Sequence, residues 1–179
     1  MKKIYYSWSD VEGQCQDIIR QLTLDQWQPD YVVGLTRGGL VPANLISQYL
    51  EVPMETLKVS LRDDTAPPEH NSRMAEDAHG GYFDPANPKR FMRRNILIVD
   101  DINDTGATLN WIRQDWPSLM PNIDSYWDQI WNENVRFATL VHNKASEFKQ
   151  IDHYSVGIDK SVEDSWIVFP WEDWWQSKP

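Results

Sequence analysis

With 179 residues, 41% of them hydrophobic, the chain is long enough for one well-filled core and too apolar to stay disordered throughout. A net charge of -10 excludes the broad basic surface that nucleic acid or an anionic membrane demands, so neither is an expected partner. No apolar run reaches bilayer length, Met1-Lys2-Lys3-Ile4-Tyr5-Tyr6 lacks a signal-peptide core, and the single Cys15 forms no internal disulfide; a cytoplasmic location is expected.

In chain order, Ser9-Asp10-Val11-Glu12 has the form of a capping box and predicts a helix over 9–24. Tyr31-Val32-Val33-Gly34-Leu35 reads as a buried strand running into Thr36-Arg37-Gly38-Gly39 and a helix over 40–50. Strands are predicted at 54–60, 95–99, 136–141 and 154–156, with a helix over 106–116. Strands alternating with amphipathic helices specify an α/β fold with a mainly parallel sheet. Residues 61–94 are rich in Pro, Asp, Asn and Gly and have little periodicity, as a functional flap or a disordered segment does. Residues 117–134 form a second insertion whose Tyr126, Trp127, Ile130 and Trp131 fall at helical spacing and predict a packed helix. Most of the ten tryptophans are expected to anchor core or interface.

The densest chemistry lies at Ile96-Leu97-Ile98-Val99-Asp100-Asp101-Ile102-Asn103-Asp104-Thr105-Gly106-Ala107-Thr108. A buried strand ends in two carboxylates, and a turn with one glycine and two threonines leads into a helix. Successive N–H groups of that turn, with the hydroxyls of Thr105 and Thr108, make a cradle for phosphate. Asp100 and Asp101 would repel a bare phosphate, so they suit ribose hydroxyls, a Mg²⁺ ion or a developing positive charge. A Walker-type loop is excluded, because no Gly-Lys-Ser/Thr follows. The acidic pair of a receiver domain follows its first strand, whereas this pair stands near residue 100 with a phosphate turn directly after it. Thr36-Arg37-Gly38-Gly39, also between strand and helix, falls at the same sheet edge. Its glycines admit backbone N–H groups closely, and Arg37 adds a fixed cation.

Position by position, residues 96–108 resemble the phosphoribosyl pyrophosphate (PRPP) motif of type I phosphoribosyltransferases. Ala138-Thr139-Leu140-Val141-His142-Asn143-Lys144 and Trp166-Ile167-Val168-Phe169-Pro170-Trp171-Glu172 resemble the purine-binding segments of the xanthine-guanine and hypoxanthine branch. The resemblance spans most of the chain. It implies one domain over 1–179: a mainly parallel twisted sheet flanked by helices, with a small hood built from the chain termini. Residues 61–94 would be a mobile active-site loop, within which Arg73 is a further candidate to touch pyrophosphate.

The activity implied is transfer of the phosphoribosyl group from PRPP to N9 of guanine, xanthine or hypoxanthine, with Mg²⁺ as cofactor. The 5-phosphate would sit on Asp104, Thr105, Gly106, Ala107 and Thr108. Pyrophosphate would lie against Thr36, Arg37, Gly38 and Gly39, with a strained peptide just before Arg37. Asp100 would hold the ribose hydroxyls, Asp101 the metal, and Asp104 would be the catalytic residue that accepts a proton from the purine or hydrogen-bonds its N7. Trp166 would stack on the base, Lys144 would donate to O6, and the Ile167 carbonyl would accept from the ring edge. The resemblance also implies a homodimer or homotetramer. The chain departs from the pattern at Ser60-Leu61-Arg62, where relatives carry a Ser-Tyr pair, in its two longer insertions, and at His142-Asn143 before the lysine. Two alternatives stay open: an enzyme of this fold acting on another base, and a non-catalytic regulator that keeps the pocket as a sensor.

Overall fold

A computed structural model of the chain describes residues 1–59, 61, 68–120 and 124–175. Its elements in order are β1 (Lys2–Tyr5), α1 (Trp8–Leu24), β2 (Tyr31–Thr36), α2 (Leu40–Leu50), β3 (Met54–Lys58), α3 (Ser72–His79), β4 (Gly81–Asp84) and β5 (Asn87–Arg93). There follow β6 (Ile96–Asn103), α4 (Ala107–Ser118), a 3-10 helix (Asp124–Gln129), β7 (Val135–Asn143), β8 (His153–Ile158) and β9 (Ser165–Val168). Ser60, Arg62 and residues 121–123, which bear on the expected loop and insertion, lie outside the described residues.

Five strands pair in the order β3-β2-β6-β7-β8, all parallel, so every strand ends at one edge of the sheet. Both faces are buried, which is why the strands read as continuous apolar runs rather than alternating ones. Tyr31, Val33, Leu35, Ile96, Ile98 and Phe137 pack against α3 and α4. Val32, Leu97, Val99, Ala138 and Leu140 pack against α1 and α2. Residues 144–152 return from β7 to β8 without a helix, so that return lies against the neighbouring loops. A second, two-stranded parallel sheet joins the chain ends, with Lys3 opposite Trp166 and Tyr5 opposite Val168. Ile167 and Phe169 reach the α1 side of the core and tie this hood down.

Three local expectations are corrected. Helix α1 is capped by Ser7 and not Ser9: the Ser7 hydroxyl accepts from the Asp10 N–H, and the Asp10 carboxylate accepts from the Ser7 N–H. This register sends Val11, Cys15, Ile18, Ile19 and Leu22 into the core. Residues 61–94, expected to lack regular structure, contain α3, capped by the Asn71 side chain, and the β4–β5 hairpin. The insertion packs as expected, but as a 3-10 turn rather than an α-helix.

Trp127, Ile130 and Trp131 are buried beneath β7, whereas Tyr126 stays exposed. The Trp131 ring stacks on Trp127 at 5.1 Å and on Phe137 at 5.8 Å, and the Arg113 guanidinium lies 5.4 Å from its centre. The insertion therefore completes the core on the α4 side. Trp131→Ala is expected to destabilise the fold by about 3–5 kcal/mol, measured by denaturant unfolding. An unchanged midpoint would mean that the insertion is dispensable packing.

Candidate active site

The sheet edge where the strands end carries a cavity of about 490 Å³. Asp100 to Leu109 line one side, and Lys160, Trp166, Ile167, Phe169 and Glu172 the other, with Val59 and Leu61 between. Open α/β sheets bind ligands at this edge, where loops diverge and helix N-termini converge.

Strand β6 runs further than its apolar stretch, because Asp100 pairs with Thr139 and Ile102 with Val141 along the edge of the cavity. Asp100 and Asp101 thus stand on a rigid strand, half-buried and adjacent. Burial, reinforced by the charge of Asp101, pushes the Asp100 carboxyl well above its usual range. Burial also lifts Asp101, opposed by the Ile102 N–H and aided by Glu172. A cation between them would relieve both.

After β6 the chain turns at Gly106, whose φ of 89° is left-handed and which caps α4. A Cβ there would collide with the Phe148 backbone N and the Ser146 hydroxyl. The turn is braced from below. Asn103 donates to His142 Nδ1 at 3.0 Å and to the Phe148 carbonyl at 2.9 Å, while Ser146 donates to Asn103 Oδ1 at 2.9 Å. Burial, then the nearby Lys149 and Lys144 charges, lowers the His142 pKa, which suits a neutral ring accepting at Nδ1. Thr105 Oγ1 accepts from the Ala107 N–H at 3.3 Å, and the Thr105 carbonyl accepts from Glu147 N–H at 2.9 Å. Thr105, Gly106, Ala107 and Thr108 all line the cavity.

Thr36, Arg37, Gly38 and Gly39 form the neighbouring loop. The Thr36–Arg37 peptide bond is cis, Arg37 is exposed, and Gly39 caps α2. Gly38 abuts the Asp101 carboxylate so closely that a Cβ would overlap it. The loop and the acidic pair are therefore brought together. Arg73 is not among them: it pairs with Glu55 at 3.1 Å and Asp77 at 3.5 Å.

On the opposite wall, Trp166 presents a ring 41% exposed and Ile167 is buried beside it. The cation facing Trp166 is Lys160, 5.9 Å above the ring and 2.9 Å from the Asp104 carboxylate. Asn143 braces this pair, donating to the Asp104 carbonyl at 3.0 Å and accepting from the Lys160 N–H at 3.1 Å. Lys144, expected here, is exposed, lies outside the cavity lining and runs along Gly157. Successive side chains at a strand end point to opposite sides, so Asn143 facing Asp104 turns Lys144 away. Lys160 escaped the sequence reading because Asp159-Lys160-Ser161 belongs to no motif. Its one legible signal is its place just after β8, where every site loop stands.

Among the described residues no group of three His, Cys, Asp or Glu side chains could cage a metal, and no helix is long and apolar enough to cross a membrane. A phosphoribosyl transferase domain model matches residues 2–178. The chain is 30% identical over 183 residues to the xanthine-guanine phosphoribosyltransferase of Cereibacter sphaeroides, covering 96% of this chain and 87% of the relative. It is 23% identical to the hypoxanthine-guanine phosphoribosyltransferase of Schizosaccharomyces pombe, covering 95% and 89%. The purine phosphoribosyltransferase structure from Pyrococcus horikoshii superposes with a TM-score of 0.63 at 24% identity, covering 97% of this chain and 95% of the other. With the domain model matching nearly its whole length and these relatives in the purine branch, the chain belongs to the phosphoribosyltransferase family and has the type I fold.

Proposed function

We propose that the protein transfers the phosphoribosyl group of PRPP to N9 of a 6-oxopurine (guanine, xanthine or hypoxanthine), releasing pyrophosphate. The observation that carries this reading is the Lys160–Asp104 ion pair beside the exposed Trp166 ring. A purine stacked on Trp166 turns its O6–N7 edge to that pair. O6 is an acceptor and the N7–H of a free 6-oxopurine is a donor; Lys160 and Asp104 supply the matching donor and acceptor side by side. Adenine would set its amino donor against a half-buried ammonium. The names of the purine-branch relatives support the same substrate class.

PRPP would lie with its 5-phosphate in the Thr105-Gly106-Ala107-Thr108 cradle and its pyrophosphate against Arg37, Gly38 and Gly39. Asp101 suits Mg²⁺: it stands at the cavity beside Asp100, and a single protein carboxylate with substrate oxygens and water makes such a shell. Bound there, Mg²⁺ would neutralise the pyrophosphate leaving group. Asp100 would hold the ribose hydroxyls, and the acidic pair would stabilise positive charge developing at C1. The purine N9 forms a bond to C1, the C1–oxygen bond to pyrophosphate breaks, and the N7 proton passes to Asp104. Val59 and Leu61 line the cavity where the 61–94 segment leaves β3, which supports the start of that segment as the cover that keeps water from PRPP; its β4–β5 hairpin lies beside the strand starts, away from the cavity.

The direct test is pyrophosphate release with PRPP, Mg²⁺ and, separately, hypoxanthine, guanine, xanthine, adenine and uracil. Turnover is expected with at least one 6-oxopurine and not with adenine; silence with every base despite PRPP binding would favour the sensor. Lys160→Met is expected to raise the KM for the base about 10- to 150-fold, the loss of a hydrogen bond from a charged donor, with Lys144→Met close to the parent. The reverse ranking would restore Lys144 to the site. Asp104→Asn is expected to lower kcat by about 100-fold or more while PRPP affinity holds. Unaltered kcat would remove Asp104 from the proton transfer.

A further inference from the structure

Asn143 is the last residue of β7 and only 6% exposed, so its carboxamide has to find partners within the protein. The oxygen accepts from the Ala145 N–H at 3.1 Å and from the Lys160 N–H at 3.1 Å. The nitrogen donates to the Asp104 carbonyl at 3.0 Å and, more weakly, to Asp104 Oδ1 at 3.4 Å. Exchanging oxygen and nitrogen would set an NH₂ group against two backbone donors, so only this orientation serves. Asp104 follows β6 and Lys160 follows β8, the two strands on either side of β7. One buried amide thus ties both partners of the ion pair to the strand between them.

The bonding capacity left over is specific. Lys160 Nζ lies 2.9 Å from each oxygen of the Asp104 carboxylate. An ammonium has three N–H groups, so two are engaged and one remains for a ligand over the Trp166 ring. The two carboxylate oxygens are not equivalent. Among the described residues Oδ1 accepts from both Lys160 and Asn143, whereas Oδ2 accepts from Lys160 alone. What the pair still offers is one donor, on Lys160 Nζ, and one open acceptor, on Asp104 Oδ2. Asn143 itself is absent from the cavity lining, so it acts on a ligand only through these two residues.

We propose that Asn143 is a positioning residue for the transfer: by engaging Asp104 Oδ1 it leaves Oδ2 as the atom that accepts the purine N7 proton, with the third Lys160 N–H on O6. This role rests on the purine reading. As N9 bonds to C1, the C1–oxygen bond breaks and its electron pair leaves with pyrophosphate, while the N7 proton moves to Oδ2. A carboxylate without the Asn143 donor is free to turn and present either oxygen. The resulting loss falls on the base and on the transfer step, and spares PRPP.

Steady-state kinetics of the full chain, with PRPP and the 6-oxopurine it turns over, tests this role through Asn143→Asp. That substitution keeps the acceptor for the Ala145 and Lys160 N–H groups, loses the donor, and sets a second carboxylate against Oδ1. It is expected to lower kcat/KM for the base about 10- to 150-fold, with the KM for PRPP within about twofold of the parent. Combined with Asp104→Asn, it is expected to stay within about threefold of Asp104→Asn alone, because both changes act on one proton acceptor. Losses that multiply in the double variant, or a KM for PRPP that rises as much as that for the base, would make Asn143 merely structural and overturn the role. Unaltered kcat/KM in the folded variant would overturn it too. Far-UV circular dichroism checks the fold, and Asn143→Ser, which adds no charge and whose hydroxyl falls short of Oδ1, replaces a variant that fails to fold. A parent silent with every base would instead overturn the purine reading, and this role with it.

Discussion

The Asn103 carboxamide is enclosed between strand β6 and the 144–152 return, and both of its ends are used. Its nitrogen is shared between His142 and Phe148, and its oxygen takes the Ser146 hydroxyl. A buried amide left half-satisfied costs about 1–3 kcal/mol, so these contacts stand or fall together. They set the height of the Gly106 turn over the sheet, and through it the first turn of α4. They also pin the end of β7, from which Asn143 reaches Asp104. The Gly106 turn and the Asp104–Lys160 ion pair are therefore two outputs of one hydrogen-bonded node, positioned by a rigid strand rather than by the loops themselves.

Around that node the site separates its charges. Burial holds Asp100 and Asp101 on β6 at an energetic cost, visible in the upward push on both carboxyls, to which the Asp101 charge adds at Asp100 and the Glu172 charge at Asp101. Such a cost is tolerated where a bound partner relieves it. A few residues on, Asp104 is already neutralised by Lys160. One end of the cavity thus carries two crowded carboxyls, the other an ion pair that is already neutral. On the proposed function, an acidic protein would hold a polyanion here by local geometry, with backbone N–H groups and few cations, rather than by its overall field.

Much of this was legible in the residues. Parallel strands announce themselves as unbroken apolar runs, and the Asp-Asp pair with its Gly-Thr turn marks residues that line the cavity. The hood was legible only through resemblance, since Lys2–Tyr5 and Ser165–Val168 are too short to show periodicity. Ser9 looked like the cap because a glutamate follows it at the right spacing, but Ser7 and Asp10 satisfy each other better. Lys144 misled for a different reason: adjacency in sequence says nothing of which side of a strand end a side chain leaves from. Lys160 reaches the cavity through three-dimensional closure of β8 onto β7, a relation that no linear spacing encodes.

The pairing of β1 with β9 joins Lys2 to Ser165 and Tyr5 to Val168, across almost the whole of the described chain. Contacts of such separation form late, after the loop between them has been closed by other means. During synthesis the five-stranded sheet has all its strands before Trp166 emerges. The hood that carries Trp166 is thus assembled onto a sheet whose five strands all precede it in the chain. On the proposed function, a chain lacking β9 would keep the Gly106 turn but lose the surface offered to the base.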